Sequence, residues 1–136
     1  MTQLDHSRLS DFIDQKWDES ALPSLSEFIE IPALSPSFDP DWEENGYLDA
    51  AIETFISWIK SLSLERVSIS VHRLKKRSPL LLVTINGDSE GEVLFYSHLD
   101  KQPEASGWSD GKGPWKAVVE DDWLFGRGSV DDGYGG

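Results

Sequence analysis

Ser97-His98-Leu99-Asp100 is the first of two short clusters whose residues could do chemistry. On an extended chain, residues two apart face the same way, so His98 and Asp100 are predicted to project to one side. A carboxylate beside an imidazole can fix its tautomer and raise its basicity, as the partners of metal-bound histidines do. Taken alone, the tetrapeptide favours an ordinary surface His–Asp pair at the end of a strand.

The second cluster places two adjacent acids, Asp131 and Asp132, at the end of the glycine-rich segment Gly126-Arg-Gly-Ser-Val. Neighbouring carboxylates repel each other, and desolvation increases the repulsion unless a cation is present. A metal ion with oxygen ligands, or with mixed oxygen and nitrogen ligands, would supply that cation. An exposed acidic turn is the alternative interpretation, because acidic residues are common throughout this chain.

With their surroundings, the two clusters resemble the di-zinc metallopeptidases and amidohydrolases. That family includes carnosine dipeptidase, succinyl-diaminopimelate desuccinylase, acetylornithine deacetylase and glutamate carboxypeptidase. The His-x-Asp-x-Gln-Pro pattern and the Asp-Asp pair look most like the dipeptidase branch. The segments that carry the resemblance follow the family's order: the loop Ile31–Trp42, then Leu94–Pro103, Gly107-Trp108, Gly113-Pro114-Trp115 and Leu124–Tyr134.

The resemblance implies a role for each residue of the two clusters. His98 would bind one metal ion, Asp131 would bridge two, and Asp100 would be the catalytic-site acid that orients the histidine. The bond between Asp131 and Asp132 would be a cis peptide. The cofactors implied are two divalent metal ions, Zn²⁺ first, with Mn²⁺ or Co²⁺ as alternatives. The glycines on either side of Arg127 would allow a close approach to the metal, and Arg127 would tie down the loop.

The reaction implied is hydrolysis of a peptide or amide bond in a dipeptide or N-acyl amino acid, through a metal-bridged water. In the family, the general-base glutamate, the other ligands and the lid or dimerisation domain all come later in the chain. Residues 1–136 are therefore expected to form the N-terminal portion of a catalytic domain, inactive alone, from a full-length enzyme that could be a homodimer. His6 and His72 are expected to face solvent and not to complete the ligand set.

Two other functions stay open at this point. The absence of the other metal ligands is also consistent with a non-catalytic orphan fragment. It is equally consistent with an interaction module that uses the acidic residues 1–60. Within the enzymes, an N-acyl amino acid deacylase or desuccinylase shares the same metal motifs as a dipeptidase. Trp108 and Trp115 could line a substrate cleft, although aromatic residues in glycine-rich loops more often pin the loop to the body of the protein.

Composition narrows the possible partners. The 25 acidic and 12 basic residues give a net charge of −13, which argues against a nucleic-acid partner. The absence of cysteine excludes disulfides and thiolate ligands. No apolar run approaches the length of a membrane span, and the N-terminus lacks a secretory signal pattern. These features predict a cytoplasmic protein with neither a nucleic-acid nor a membrane partner, and the small substrate is what the resemblance implies.

Helices are predicted in the first half of the chain. Leu9, Phe12, Ile13 and Trp17 follow helical spacing, as do the apolar residues from Leu48 to Leu62. Between them, Ser24-Leu-Ser-Glu27 is a capping-box pattern that predicts the start of a short helix, which Pro32 would end.

Strands are predicted in the second half, where the period changes to two at Val67–Val71. The apolar runs Leu80–Ile85 and Val93–Tyr96 are typical of strands covered on both faces, and Trp123–Phe125 predicts a further short strand. The fold class is therefore α/β. The resemblance implies the N-terminal part of a three-layer metallopeptidase catalytic domain, with helices followed by a mixed sheet.

Overall fold

The computed structural model describes residues 5–130, and its helices come first. An α-helix, α1, is followed without a break by a short π-helical segment and a second α-helix, and two more α-helices follow. Their bounds are α1 His6–Lys16, the π-helical segment Trp17–Ala21, α2 Leu22–Glu30, α3 Trp42–Asn45 and α4 Tyr47–Ser61. Among residues 5–130, no helix is long and apolar enough to cross a membrane.

All three predicted helices are present, but the predicted start of the second is wrong. Ser24 lies inside α2 and is 8% exposed, so it does not cap a helix. The reason is that the chain stays helical from α1 through the π-helical segment, so no free helix N-terminus exists near Ser24. The end is as predicted, because α2 stops at Glu30, shortly before Pro32.

The core forms between α2 and α4, and the helical spacing of their apolar residues explains why. One buried cluster consists of Leu25, Phe28, Ile29, Ala33, Leu48 and Ala51, and the buried face of α4 continues with Ile52, Ile56 and Ile59. By contrast, α1 has no buried residue. The apolar face of α1 remains 41–54% exposed at Leu9, Phe12, Ile13 and the following Trp17. Hydrophobic periodicity therefore predicted the helix α1 correctly. It did not indicate that the apolar face of this helix would be exposed.

The α/β fold class is confirmed, with the strands arranged differently from the expected mixed sheet. Strand β1, Val67–His72, pairs antiparallel with β2, Leu80–Ile85. Strand β3, Val118–Glu120, pairs antiparallel with β4, Trp123–Phe125, the strand that the sequence predicted. Within the described part of the chain, these pairs are two separate two-stranded sheets.

Two predictions of buried strands are wrong. The segment Val93–Tyr96 has no strand structure, and its four side chains are 79–88% exposed. Strand β2 exists, but Leu80 and Leu82 are 60% and 45% exposed. An apolar run predicts burial on both faces only if other elements cover both faces. Between residues 5 and 130, neither apolar run has such a covering.

Candidate functional site

His98 and Asp100 are in direct contact, on the same side of the chain as predicted. The Nδ1 atom of His98 lies 2.9 Å from the backbone oxygen of Asp100 and 3.2 Å from its carboxylate Oδ1. Because these oxygens are acceptors, Nδ1 is the donor, and in the neutral ring Nε2 carries the lone pair. Both side chains are 30% exposed. This is the tautomer in which an imidazole can bind a metal ion through Nε2.

The segment that carries His98 is held in place by the loop after α2 and not by a preceding strand. The backbone N–H of Lys101 donates to the oxygen of Ala33 at 2.8 Å, and the N–H of Ser35 donates to the oxygen of Lys101 at 2.9 Å. These bonds form a parallel bridge between Leu34 and Lys101. The proline-containing loop at the end of α2 therefore positions the first cluster.

Lys101 is a residue of this region that sequence reasoning missed. Its side chain is 1% exposed, and Nζ donates to the carbonyl oxygens of Phe28, Ile29 and Ile31. A lysine between an aspartate and a glutamine is typical of a surface loop, so no signal in the sequence marks it as buried.

The loop that leads to Asp131 also packs on the end of α2. Gly126 has φ +145°, and a Cβ atom there would lie 2.3 Å from Cγ2 of Ile29. The close approach that requires glycine in the structure is therefore to α2. Arg127 ties the loop down, as predicted: its N–H donates to the oxygen of Pro114 at 2.7 Å, and its Nε donates to the oxygen of Gln102 at 3.2 Å.

The ligand set is incomplete within residues 5–130. Asp131, Asp132 and the predicted cis bond between them lie outside the described residues. Within them, no group of three or more histidine or acidic side chains could hold a metal ion. His98, oriented by Asp100, fits one ligand position. His6 and His72 are exposed, as expected, so neither adds a ligand to it.

The two tryptophans that could line a cleft hydrogen-bond within their own region of the chain. Nε1 of Trp108 donates to the oxygen of Ala105, and Nε1 of Trp115 donates to Oε1 of Glu104, both at 2.7 Å. An open depression of about 400 Å³ lies between Trp108 and the loop Arg127–Val130. Trp108 therefore pins its loop and also lines this depression.

Comparison with known protein families finds a match in the region of His98. Residues 94–136 match the family model described as Peptidase family M20/M25/M40. The matched segment contains His98, Asp100 and Asp131. The description of this family model is one of peptidases, and the match leaves the identity and number of any metal ions undetermined.

Two curated relatives of this chain are named as enzymes. An uncharacterized metallohydrolase of Methanocaldococcus jannaschii is 24% identical over 118 residues, which are 84% of this chain and 28% of the relative. A succinyl-diaminopimelate desuccinylase of Acidiphilium cryptum is 35% identical over 69 residues, which are 51% of this chain and 18% of that enzyme. The similarity to this chain thus spans less than a third of the length of either relative.

Proposed function

We propose that this chain is the N-terminal portion of the catalytic domain of a metal-dependent hydrolase of the M20/M25/M40 kind. The observation that carries the proposal is the position of His98 Nδ1, which lies 2.9 Å from the backbone oxygen of Asp100 and 3.2 Å from its carboxylate, inside the segment that matches the family model. It puts the lone pair of a half-buried imidazole on Nε2, which is what a metal ligand requires. If the His–Asp pair were an ordinary surface pair, we would not expect it to lie inside a segment that matches this family model.

The proposed roles follow from the chemistry of each group. His98 binds one divalent ion through Nε2, Asp100 orients the ring, and Asp131 supplies the oxygen ligand shared by two ions. We propose Zn²⁺ as the ion, with Mn²⁺ or Co²⁺ as alternatives that the same ligands accept. When bound, such ions polarise a carbonyl group and lower the pKa of a coordinated water.

The proposed substrate is a small molecule with an amide bond, either a dipeptide or an N-acyl amino acid. The resemblance of the His-x-Asp-x-Gln-Pro pattern to the dipeptidase branch of the family favours a dipeptide. The name of the Acidiphilium relative favours an N-acyl amino acid, since that enzyme removes a succinyl group. We propose hydrolysis of this amide bond as the function of the complete enzyme and keep both substrate classes as candidates.

Titration of the 136-residue chain with Zn²⁺, followed by competition with a chromophoric chelator, tests the proposal. We expect weak binding, because His98 and Asp131 are only two of the three protein ligands that a catalytic zinc site usually has. His98→Ala should lower the affinity by about 10-fold or more, since it removes a ligand nitrogen.

His72→Ala is the matched control, because His72 is an exposed histidine on β1, where its Nε2 lies 3.0 Å from the hydroxyl of Ser70. Its affinity for Zn²⁺ should equal that of the unchanged chain. If His98→Ala binds Zn²⁺ as tightly as the unchanged chain, His98 is not a ligand and the proposed site is wrong.

A further inference from the structure

Lys101 is, with Ser24, one of two buried polar residues among residues 5–130, and it is the only charged one. Its Nζ lies 2.5 Å from the oxygen of Phe28, 3.2 Å from that of Ile29 and 2.7 Å from that of Ile31. An ammonium group has three N–H donors, so these three carbonyl oxygens can take all of them. Burial of a charge is unfavourable unless it is hydrogen-bonded, and here it is.

The three carbonyl groups belong to the last residues of α2 and the residue that follows its end. The last carbonyl groups of a helix have no partner within the helix, and the helix dipole places partial negative charge there. The oxygens of Phe28 and Ile31 also accept from the backbone N–H groups of Ile31 and Ala33. The ammonium group of Lys101 therefore adds charged hydrogen bonds at the negative end of the helix dipole. The residue that caps α2 comes from a segment about 70 positions later in the chain.

The stem of Lys101 also touches the second cluster's loop. A Cβ atom at Gly128 would lie 3.0 Å from Cε of Lys101 and 3.1 Å from Cε1 of Phe28. The Nζ atom is 4.0 Å from the centre of the Phe28 ring and 5.4 Å from that of Trp115. One side chain thus lies between α2, the segment of His98 and the turn that precedes Asp131.

From these contacts we infer that Lys101 is a positioning residue of the metal site. Its ammonium group fastens the His98–Asp100 segment to the end of α2, and its stem lies beside Gly128, so the side chain sets the distance between that segment and the Gly126–Gly128 turn. Lys101 acts through these segments and touches no ligand atom of the metal. The inference rests on the proposed function, because it concerns the geometry of that same site.

The test compares Zn²⁺ affinity and the His98 tautomer in the 136-residue chain and its variants. Lys101→Met keeps the length of the stem and removes the three donors. We expect about a 10-fold loss of Zn²⁺ affinity, the size typical of residues that orient ligands. We also expect ¹⁵N spectra of the His98 ring to change from the Nδ1–H form to a mixture of tautomers, which lower stability alone would not cause.

Lys112→Met is the matched control. Lys112 is also mostly buried, with 11% of its side chain exposed, and its Nζ lies 3.7 Å from the Phe125 ring centre and 3.2 Å from Glu120. Among the described contacts, its ammonium group touches neither α2 nor the His98 segment. The Zn²⁺ affinity and the His98 ¹⁵N spectrum of Lys112→Met should be the same as those of the unchanged chain.

Each outcome separates the two proposals. If Lys101→Met folds and keeps both the Zn²⁺ affinity and the His98 tautomer, the positioning role is overturned and the metal site is not. If His98→Ala binds as tightly as the unchanged chain, both proposals are overturned. Should Lys101→Met fail to fold, Lys101→Gln takes its place: its amide nitrogen ends one atom short of Nζ, so we expect the same two changes, and their absence overturns the positioning role.

Discussion

At Gly126, the lack of a side chain lets the loop before Asp131 reach the end of α2. The nearest obstacle to a Cβ atom is Cγ2 of Ile29, at 2.3 Å, and the backbone oxygen of Lys116 is next at 3.2 Å. Ile29 is fully buried, so it has little room to move away. The glycine therefore contributes both an unusual backbone angle and a close contact between this loop and α2.

Gly126→Ala should consequently destabilise the chain by about 3 kcal/mol or more, from backbone strain and overpacking together. Gly111→Ala is its control, because Gly111 has φ +80° with open space around it, and we expect a cost of about 1–2 kcal/mol there. Urea unfolding of both variants measures the difference. Equal losses would show that Ile29 yields to the added methyl group.

Individual residues also show where sequence reasoning reaches its limit. The contact between His98 and Asp100 was predictable, because residues two apart on an extended chain share a side. The burial of Lys101 was not, since it depends on carbonyl groups about 70 residues earlier in the chain. The spacing of neighbouring residues therefore predicts contacts between side chains two positions apart. It does not predict contacts between distant parts of the chain.

At the scale of elements, α1 and α4 present similar apolar patterns and opposite environments. Ile52 in α4 is 3% exposed and packs in the core, whereas Ile13 in α1 is 54% exposed. The period of 3.6 residues identifies a helix and its apolar face. It does not identify what covers that face, which is why α1 was predicted as an element and its surroundings were not.

Ile52→Ala should lower the free energy of unfolding by about 2–5 kcal/mol, because it removes buried methyl groups and leaves a cavity. Ile13→Ala makes the same chemical change on the exposed face of α1, and its effect should stay within about 0.5 kcal/mol. Denaturant unfolding followed by circular dichroism compares the two. A large loss for Ile13→Ala would mean that α1 is covered in solution.

For strands too, the local pattern predicts the element but not its neighbours. The alternation at Val67–Val71 predicted β1 correctly, since a period of two reflects one buried and one exposed face. The run Val93–Tyr96 was wrong as a strand, because strand formation depends on a neighbour that supplies hydrogen bonds. Within residues 5–130, the chain offers this segment no such neighbour.

At the scale of the whole molecule, the core of α2 and α4 is assembled within residues 5–130, whereas His98 is the one proposed metal ligand that lies in this range. The core of α2 and α4 needs only residues within the first half of the chain and a few that pack against it. The site draws on His98 and Asp131, and a catalytic zinc ion usually has three protein ligands and a water. Folding and catalysis therefore have different requirements in this molecule.

We accordingly expect the 136-residue chain, supplied with Zn²⁺ or Mn²⁺, to hydrolyse neither Xaa-His dipeptides nor N-succinyl amino acids. Release of free amine, measured against the same metal ion without protein, tests this. An established dipeptidase in the same buffer controls for assay sensitivity. Turnover that disappears in His98→Ala would contradict the expectation and show that the chain holds more of the site than the two proposed ligands.

The exposed segment Val93–Tyr96 has a consequence for how the chain behaves at high concentration. Four consecutive apolar residues with strong strand propensity, 79–88% exposed, can template cross-strand association between molecules. Glu90 and Glu92 precede this segment and Asp100 follows it, so charges flank both of its ends. Such flanking charges act as gatekeepers against aggregation. We therefore expect these carboxylates to oppose, through charge repulsion, the pairing of this segment between molecules.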